Sequence, residues 1–413
     1  MIAFVESEVP LKVRLKRAER ARHLKALALV APLLLFLAFT FLVPIGGMLW
    51  RSVEDTDVPR TLPRTIAALA TWDGKDVPGE KAFAALAADL RQAREDGTVS
   101  TPAKRLNYDI NGFRSLLVNT ARALKAAPAE GQARDAFLAA NADWGRRETW
   151  AAIKRASGPV TDFYLLAALD RHHDADGTVI RAPEDTAIYI DVFARTFQIG
   201  LGVTALCLVL GFPVAWLLAN LPAKTANLLM ILVLLPFWTS LLVRTAAWIV
   251  LLQNEGLVNG AMLWLGLIDQ PVRLIYNRIG VFVAMTHVLL PFMILPLYSV
   301  MKSISPAYVR AATSLGASPA TAFLRIYIPQ TLPGVGAGCL LVFILAIGYY
   351  ITPALVGGAA DQMISYFIAF YVTDTVNWGM AAALGAVLLV ATLILAGVYA
   401  RLVHAKPTTG GIK

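Results

Sequence analysis

Apolar residues dominate six long stretches of the chain, at about 26–50, 197–219, 226–252, 279–300, 332–353 and 380–400, and polar residues crowd between them. A bilayer core about 30 Å thick is crossed by roughly 20 apolar residues of helix. Each stretch therefore predicts a transmembrane helix, and the pattern as a whole an all-α membrane protein. Segment 51–185 breaks the pattern, being charged, alanine-rich and longer than an ordinary loop. Within it, Phe83, Leu86 and Leu90, then Phe113, Leu116, Leu117 and Leu124, then Phe163, Leu166 and Leu169 recur at helical spacing. Asp73-Gly74, Asp96-Gly97 and Gly158-Pro159 separate them as turns. The chain divides into a basic tail (1–25), a first transmembrane helix (26–50), a helical insert (51–185), a five-helix core (186–403) and a second tail (404–413).

Composition excludes a soluble domain: 57% of residues are hydrophobic and 16% charged, against about 25% charged in soluble proteins. The apolar run Ala26 to Trp50 is too long for a secretory signal and no small-residue cleavage site follows, so it reads as a retained span. Basic residues mark the cytoplasmic side. The amino tail (Lys12, Arg14, Lys16, Arg17, Arg20, Arg22, Lys25), Lys224, the set Lys302, Arg310 and Arg325, and the end (Arg401, Lys406, Lys413) then lie inside. Both termini are expected in the cytoplasm and the insert outside it. The net charge of +9 follows from this bias and from attraction to membrane lipid, so no nucleic-acid partner is inferred. Cys207 and Cys339 fall inside spans as small apolar fillers. The run Asp170–Gly177 fails as a calcium loop, because Pro183 stands where a bidentate Glu belongs. It reads as a solvated turn, and no metal or cofactor is expected.

Prolines at 213, 236, 291, 296, 333 and 353 punctuate the spans, where neighbouring helices can satisfy the freed carbonyls. Ionisable residues within spans are costly and are functional candidates by default. Arg244 and His287 are the two candidates for a translocation pathway, with snorkelling, pairing to a neighbouring subunit or an interhelical hydrogen bond as the plainer roles.

Residues 302–330 join the fourth and fifth spans and contain no acidic residue. Ser305-Pro306 and Ser318-Pro319 each place an N-cap serine before a proline at the first helical position. Gly316 suits the end of a first short helix, and Pro329 is expected to end the second. This segment resembles the Glu-Ala-Ala loop of permeases in binding-protein-dependent ABC importers. Ala311, Ala312, Gly316, Phe323, Ile326 and Pro329 fall at that loop's spacing, while Arg310 takes the place of the Glu. The stretches LLPFWTSLLVRTAAWIVLLQNEGLVN (234–259), LLPFMILPLYSVMKSI (289–304) and YYITPALVGGAADQMI (349–364) resemble the spermidine/putrescine branch.

The resemblance implies a type I importer permease in the bacterial inner membrane, spans two to six forming its core. It implies a second permease, homologous but different, two copies of an ATPase subunit, a periplasmic substrate-binding protein, and a small polar cargo, polyamine-like. Residues 302–330 would couple it to the ATPase, with Arg310, Ala311, Ala312, Gly316, Ala317, Phe323, Ile326 and Pro329 as the coupling set. Small alanines there allow a helix to seat in a groove on a soluble partner, with Phe323 as an apolar anchor. The chain has no Walker-type phosphate loop, H-E-x-x-H or nucleophile elbow, so ATP hydrolysis is expected in another polypeptide. An ion-coupled secondary transporter, the main alternative, should carry internal repeats and intramembrane carboxylates. The five later stretches contain neither Asp nor Glu.

Overall fold

The fold is taken from a computed structural model that describes residues 11–124, 128–129, 131–174 and 176–404. The tail beyond residue 404, with Lys406 and Lys413, lies outside the described residues, as do residues 1–10 and Ala175. Among the described residues, six helices are long and apolar enough to cross a membrane: Leu15–Arg51, Tyr189–Asn220, Leu241–Trp264, Arg278–Ser303, Pro319–Gly348 and Trp378–Arg401. The chain forms two compact units, residues 1–51 and 52–413.

In the first unit the helix Leu11–Leu37 passes through a π-turn, Ala38–Leu42, into Val43–Arg51. The wider turn lies where Pro44 lacks the N–H that would bond within an α-helix. From Leu24 to Trp50 its large apolar side chains are exposed, as suits a helix solvated by hydrocarbon.

In the second unit the insert has a core of its own. Phe83, Phe137, Trp144 and Trp150 are fully buried and meet edge to face, with ring centroids of Phe83 and Trp150 4.5 Å apart and of Phe137 and Trp144 5.1 Å apart. Each such side chain contributes about 1.5–3 kcal/mol by burial alone. The indole N–H groups are satisfied: Trp144 donates to Thr120 Oγ1 at 2.8 Å and Trp150 to the Trp144 carbonyl at 2.9 Å. One part of the insert departs from the helical expectation. Arg171–His173 pairs antiparallel with Val179–Arg181 as a short hairpin, closed by Gly177 at φ 79° and by Asp174 N–H to the Thr178 carbonyl at 2.9 Å. Of the run noted in the sequence, Arg171–His173 form the hairpin's first strand, and Asp174 and Gly177 lie in its turn.

The membrane core is built on the fourth span, 56% of whose apolar window is buried against 11% for the third. It packs between the second and fifth spans through Val203, Cys207, Met285, Leu289, Met293 and Val342. Backbones approach closely where glycine allows it. A Cβ on Gly202 would come within 2.6 Å of the Phe282 ring, and one on Gly338 within 2.7 Å of Met293 Sδ. Without a hydrophobic drive between helices in lipid, such close packing is what holds spans together.

Two elements differ from expectation. The apolar stretch 226–252 is not one helix: Ala223–Leu234 is followed by a 3-10 turn, Leu235–Trp238, and a new helix begins at Leu241. Pro236 occupies the turn, and the Ser240 hydroxyl caps the restart by accepting from Val243 N–H at 3.3 Å. The helix after Ser318 does not end before Pro329. It runs through a π-turn, Phe323–Tyr327, directly into Ile328–Gly348. The π-turn places Pro329 at the start of the α-helical ladder, where its missing N–H costs nothing.

Candidate functional site

The 302–330 loop is a helical elbow. Its first helix, Pro306–Ser314, starts at Ser305, whose hydroxyl accepts from Ala307 N–H at 3.3 Å. It ends in a Schellman motif: Ala317 N–H bonds the Ala312 carbonyl and Gly316 N–H the Thr313 carbonyl, each at 3.0 Å. Gly316 sits at φ 89°, which a residue with a Cβ adopts only under strain. The second helix, Pro319–Ala322, is capped by Ser318, which accepts from Thr321 N–H at 3.2 Å.

The coupling residues separate into two groups. Arg310, Ala311, Gly316, Ile326 and Pro329 are exposed, and Ala312 and Ala317 half-buried. Phe323 turns inward, its ring 6.0 Å from Trp216 of the second span and stacked on Tyr327 at 5.5 Å. It therefore packs the elbow against its own bundle. The elbow's barest apolar side chains are ones sequence reasoning passed over: Leu315 is 89% exposed, and Tyr308 and Leu324 are also bare. A leucine directly before the turn glycine, in an otherwise polar stretch, was the available signal. Lys302 ties the elbow's root to the second span by donating to the Ala219 carbonyl at 3.1 Å.

Arg244 and His287 come together. Trp248 Nε1–H donates to His287 Nδ1 at 3.2 Å, the rings 5.4 Å apart. Arg244 lies in the first turns of the restarted helix Leu241–Leu252, within electrostatic reach of His287 and Tyr349. Its Nε and Nη1 are buried and lack a hydrogen-bond partner among the described residues. Next to it, Thr245 and Thr352 hydroxyls lie 3.3 Å apart. The restarted end of a broken span thus carries a guanidinium whose Nε and Nη1 lack a partner among the described residues.

The insert grips the turn between the helix Ile364–Thr373 and the sixth span. Lys104 Nζ donates to the Thr375 carbonyl and, at 3.5 Å, to that of Val376. Val376 is a β-branched residue at φ 52°, a conformation that costs about 1–3 kcal/mol and persists only when its surroundings hold it. Tyr164 packs so closely on the start of the sixth span that a Cβ on Gly379 would lie 2.5 Å from its ring. Behind these contacts sits a buried ion network. Arg105 bonds Asp55 through Nε at 2.8 Å and Nη2 at 2.7 Å, and Asp109 through Nη1 at 2.7 Å. It also lies 4.3 Å over the Phe163 ring. Two carboxylates share one guanidinium here, and burial pushes the Asp55 carboxyl up to about 6. Burial works against the Arg105 charge, but its carboxylate neighbours outweigh it and raise its pKa.

Residues 209–406 match the family described as "Binding-protein-dependent transport system inner membrane component". The spermidine/putrescine transport system permease protein PotB of Escherichia coli (strain K12) is 38% identical over 214 residues, covering 52% of this chain and 78% of that protein. PotB of Salmonella typhimurium (strain LT2) is 40% identical over 196 residues, 48% of this chain and 68% of that one. Among solved structures, a bacterial ABC transporter that imports the acidic polysaccharide alginate aligns with a TM-score of 0.43 and 21% identity over 51% of this chain and 79% of its own. The insert lies before the family match begins. Helices that span a membrane, an elbow with the importer loop's spacing, and 38% identity across 78% of a relative agree: this chain belongs to the inner-membrane permeases of binding-protein-dependent ABC importers.

Proposed function

We propose that this permease forms, with a second homologous but different permease chain, the pathway of an importer for a polyamine-like solute. Two ATPase subunits power it through the 302–330 elbow, and a periplasmic binding protein delivers the cargo. Both termini and the elbow face the cytoplasm, and the insert faces the binding protein. The permease does no chemistry of its own; it alternates between inward-open and outward-open states as the ATPase closes on the elbow.

The observation that carries this is the elbow itself. Its exposed apolar and basic side chains Tyr308, Arg310 and Leu315 stand on or at the end of a helix whose two ends are fixed by Ser305 and Gly316, with Leu324 exposed on the π-turn that follows. Such a rigid short helix suits a groove on a soluble partner. Because the second loop helix continues into the fifth span without a break, a tilt imposed on the elbow passes directly to a span packed on the fourth. Arg244 and His287 lie along the path that this motion opens. The polyamine-like cargo rests on the relatives' names and on the stretches at 234–259, 289–304 and 349–364.

The test is uptake into proteoliposomes holding both permeases and the ATPase, with the binding protein outside and ATP inside. Accumulation of labelled putrescine or spermidine that stops without ATP supports the proposal. Uptake driven by an ion gradient in the absence of the ATPase would favour the secondary-transporter alternative.

A further inference from the structure

The insert has no place in the matched family segment, yet its side chains close on a turn inside that segment. Three features meet there. The Thr375 and Val376 carbonyls, left open where the helix Ile364–Thr373 ends, take the ammonium of Lys104. Val376 is held at positive φ between them. Asn377 caps the sixth span by accepting from Met380 N–H at 3.1 Å. On its other side the helix Ile364–Thr373 is tied to two spans: Ile364 N–H donates to Thr196 Oγ1 at 2.9 Å, and Ser365 Oγ to the Ile347 carbonyl at 2.7 Å. This short helix bridges the insert to the second and fifth spans, at the end of the bundle where both the insert and the start of the sixth span lie.

We propose that Lys104 is a positioning residue for transport: from the insert it fixes the turn at residues 374–377, and so holds the Ile364–Thr373 helix in the pose that a loaded binding protein engages. A lysine suits the task because one ammonium satisfies two adjacent carbonyls while its stem spans from the insert helix to the turn. Without it, the strained Val376 is free to relax and the short helix samples other poses. Apparent affinity for a partner falls in proportion to the fraction of molecules in the competent pose. The inference rests on the importer function proposed above.

The experiment uses the complete complex of both permeases and ATPase in lipid nanodiscs, with ATP hydrolysis followed as putrescine-loaded binding protein is titrated in. Lys104→Ala should raise the half-maximal concentration of binding protein about tenfold, leaving hydrolysis without binding protein and the maximal rate as in wild type. Lys104→Arg, which keeps the cation, should restore most of the affinity. Gly379→Ala, which forces Tyr164 off the start of the sixth span directly after this turn, should reproduce the Lys104→Ala shift. An unchanged half-maximal concentration in Lys104→Ala overturns the inference, as does an equal loss of maximal rate in the Ala and Arg variants. Absence of any stimulation in wild type overturns the proposed function and this inference together.

Discussion

Gly316→Ala is a clean perturbation of the elbow because only the backbone is touched. No atom lies within 4 Å of where the new Cβ would stand, so steric conflict with neighbours is excluded. The cost comes from φ at 89°, where a Cβ crowds the following carbonyl by about 1–2 kcal/mol. That strain is borne by the Schellman motif: relaxing φ breaks the bonds from Ala317 to Ala312 and from Gly316 to Thr313. A cost of that size lowers the ratio of native to relaxed elbow by about 5- to 30-fold, and the apparent affinity for the ATPase falls by up to that factor as the competent fraction drops. Gly316→Asn should lose less, since asparagine visits the left-handed region more readily. The assay is titration of purified permease complex in nanodiscs with the ATPase, followed by binding and by basal hydrolysis, with thermal unfolding as the control. The membrane core should unfold at an unchanged temperature in both variants. ATPase affinity in Gly316→Ala equal to wild type, or Asn no better than Ala, would refute the reasoning.

Leu315→Ala should weaken ATPase binding several-fold without changing thermal stability, because its side chain meets no core. Phe323→Ala should lower thermal stability first, by about 3–5 kcal/mol at most for a truncated aromatic, since its ring packs on Trp216 and Tyr327; equal stability loss in both variants would contradict the division of roles. Arg244→Met should raise the unfolding temperature of the isolated chain by removing a half-buried guanidinium whose Nε and Nη1 lack a partner among the described residues, while uptake by the assembled complex falls; a lower unfolding temperature would show that the guanidinium is satisfied at home. The Asp55 carboxyl, raised from 3.8 to about 6 in the folded insert, binds its proton more tightly folded than unfolded. Its stabilising contribution is complete below pH 4 and is lost as pH rises to 6, a change of about 3 kcal/mol. Urea unfolding of the full chain, read by insert tryptophan fluorescence, should lose this part of its pH dependence in Asp55→Asn; an identical pH profile would count against it.

Much of this architecture is legible in the sequence, and the reasons are physical. Apolar length fixes which segments can span a bilayer, so five of the six stretches fall on single long helices, while 226–252 is broken at Pro236 and its long helix is Leu241–Trp264. Serine-proline pairs and Gly316 mark the elbow because capping is local chemistry, and those ends fall where the spacing places them. What local chemistry cannot fix is how a helix copes with a proline. Pro236 lies at a break and Pro329 within a continuous run, and the difference lies in the π-turn Phe323–Tyr327 ahead of Pro329, which no local sequence pattern announces. Direction is equally hidden. Phe323 and Leu315 are both apolar residues in a polar loop, and only packing shows that one turns to Trp216 and the other to solvent. The grip of Lys104 on the Thr375 turn joins residues far apart in the chain, a relation that periodicity does not carry.

The central claim is that this chain is the moving pore of an ATP-driven importer, engaged through its elbow. It is tested most directly by a photo-crosslinking residue placed at position 315, in the tagged chain purified from gentle detergent. The account predicts a single dominant adduct with a Walker-motif ATPase, lost when the same residue is placed at position 323, together with co-purification of a second permease. A chain recovered alone, with no adduct at position 315 under conditions that preserve other importer complexes, would contradict it.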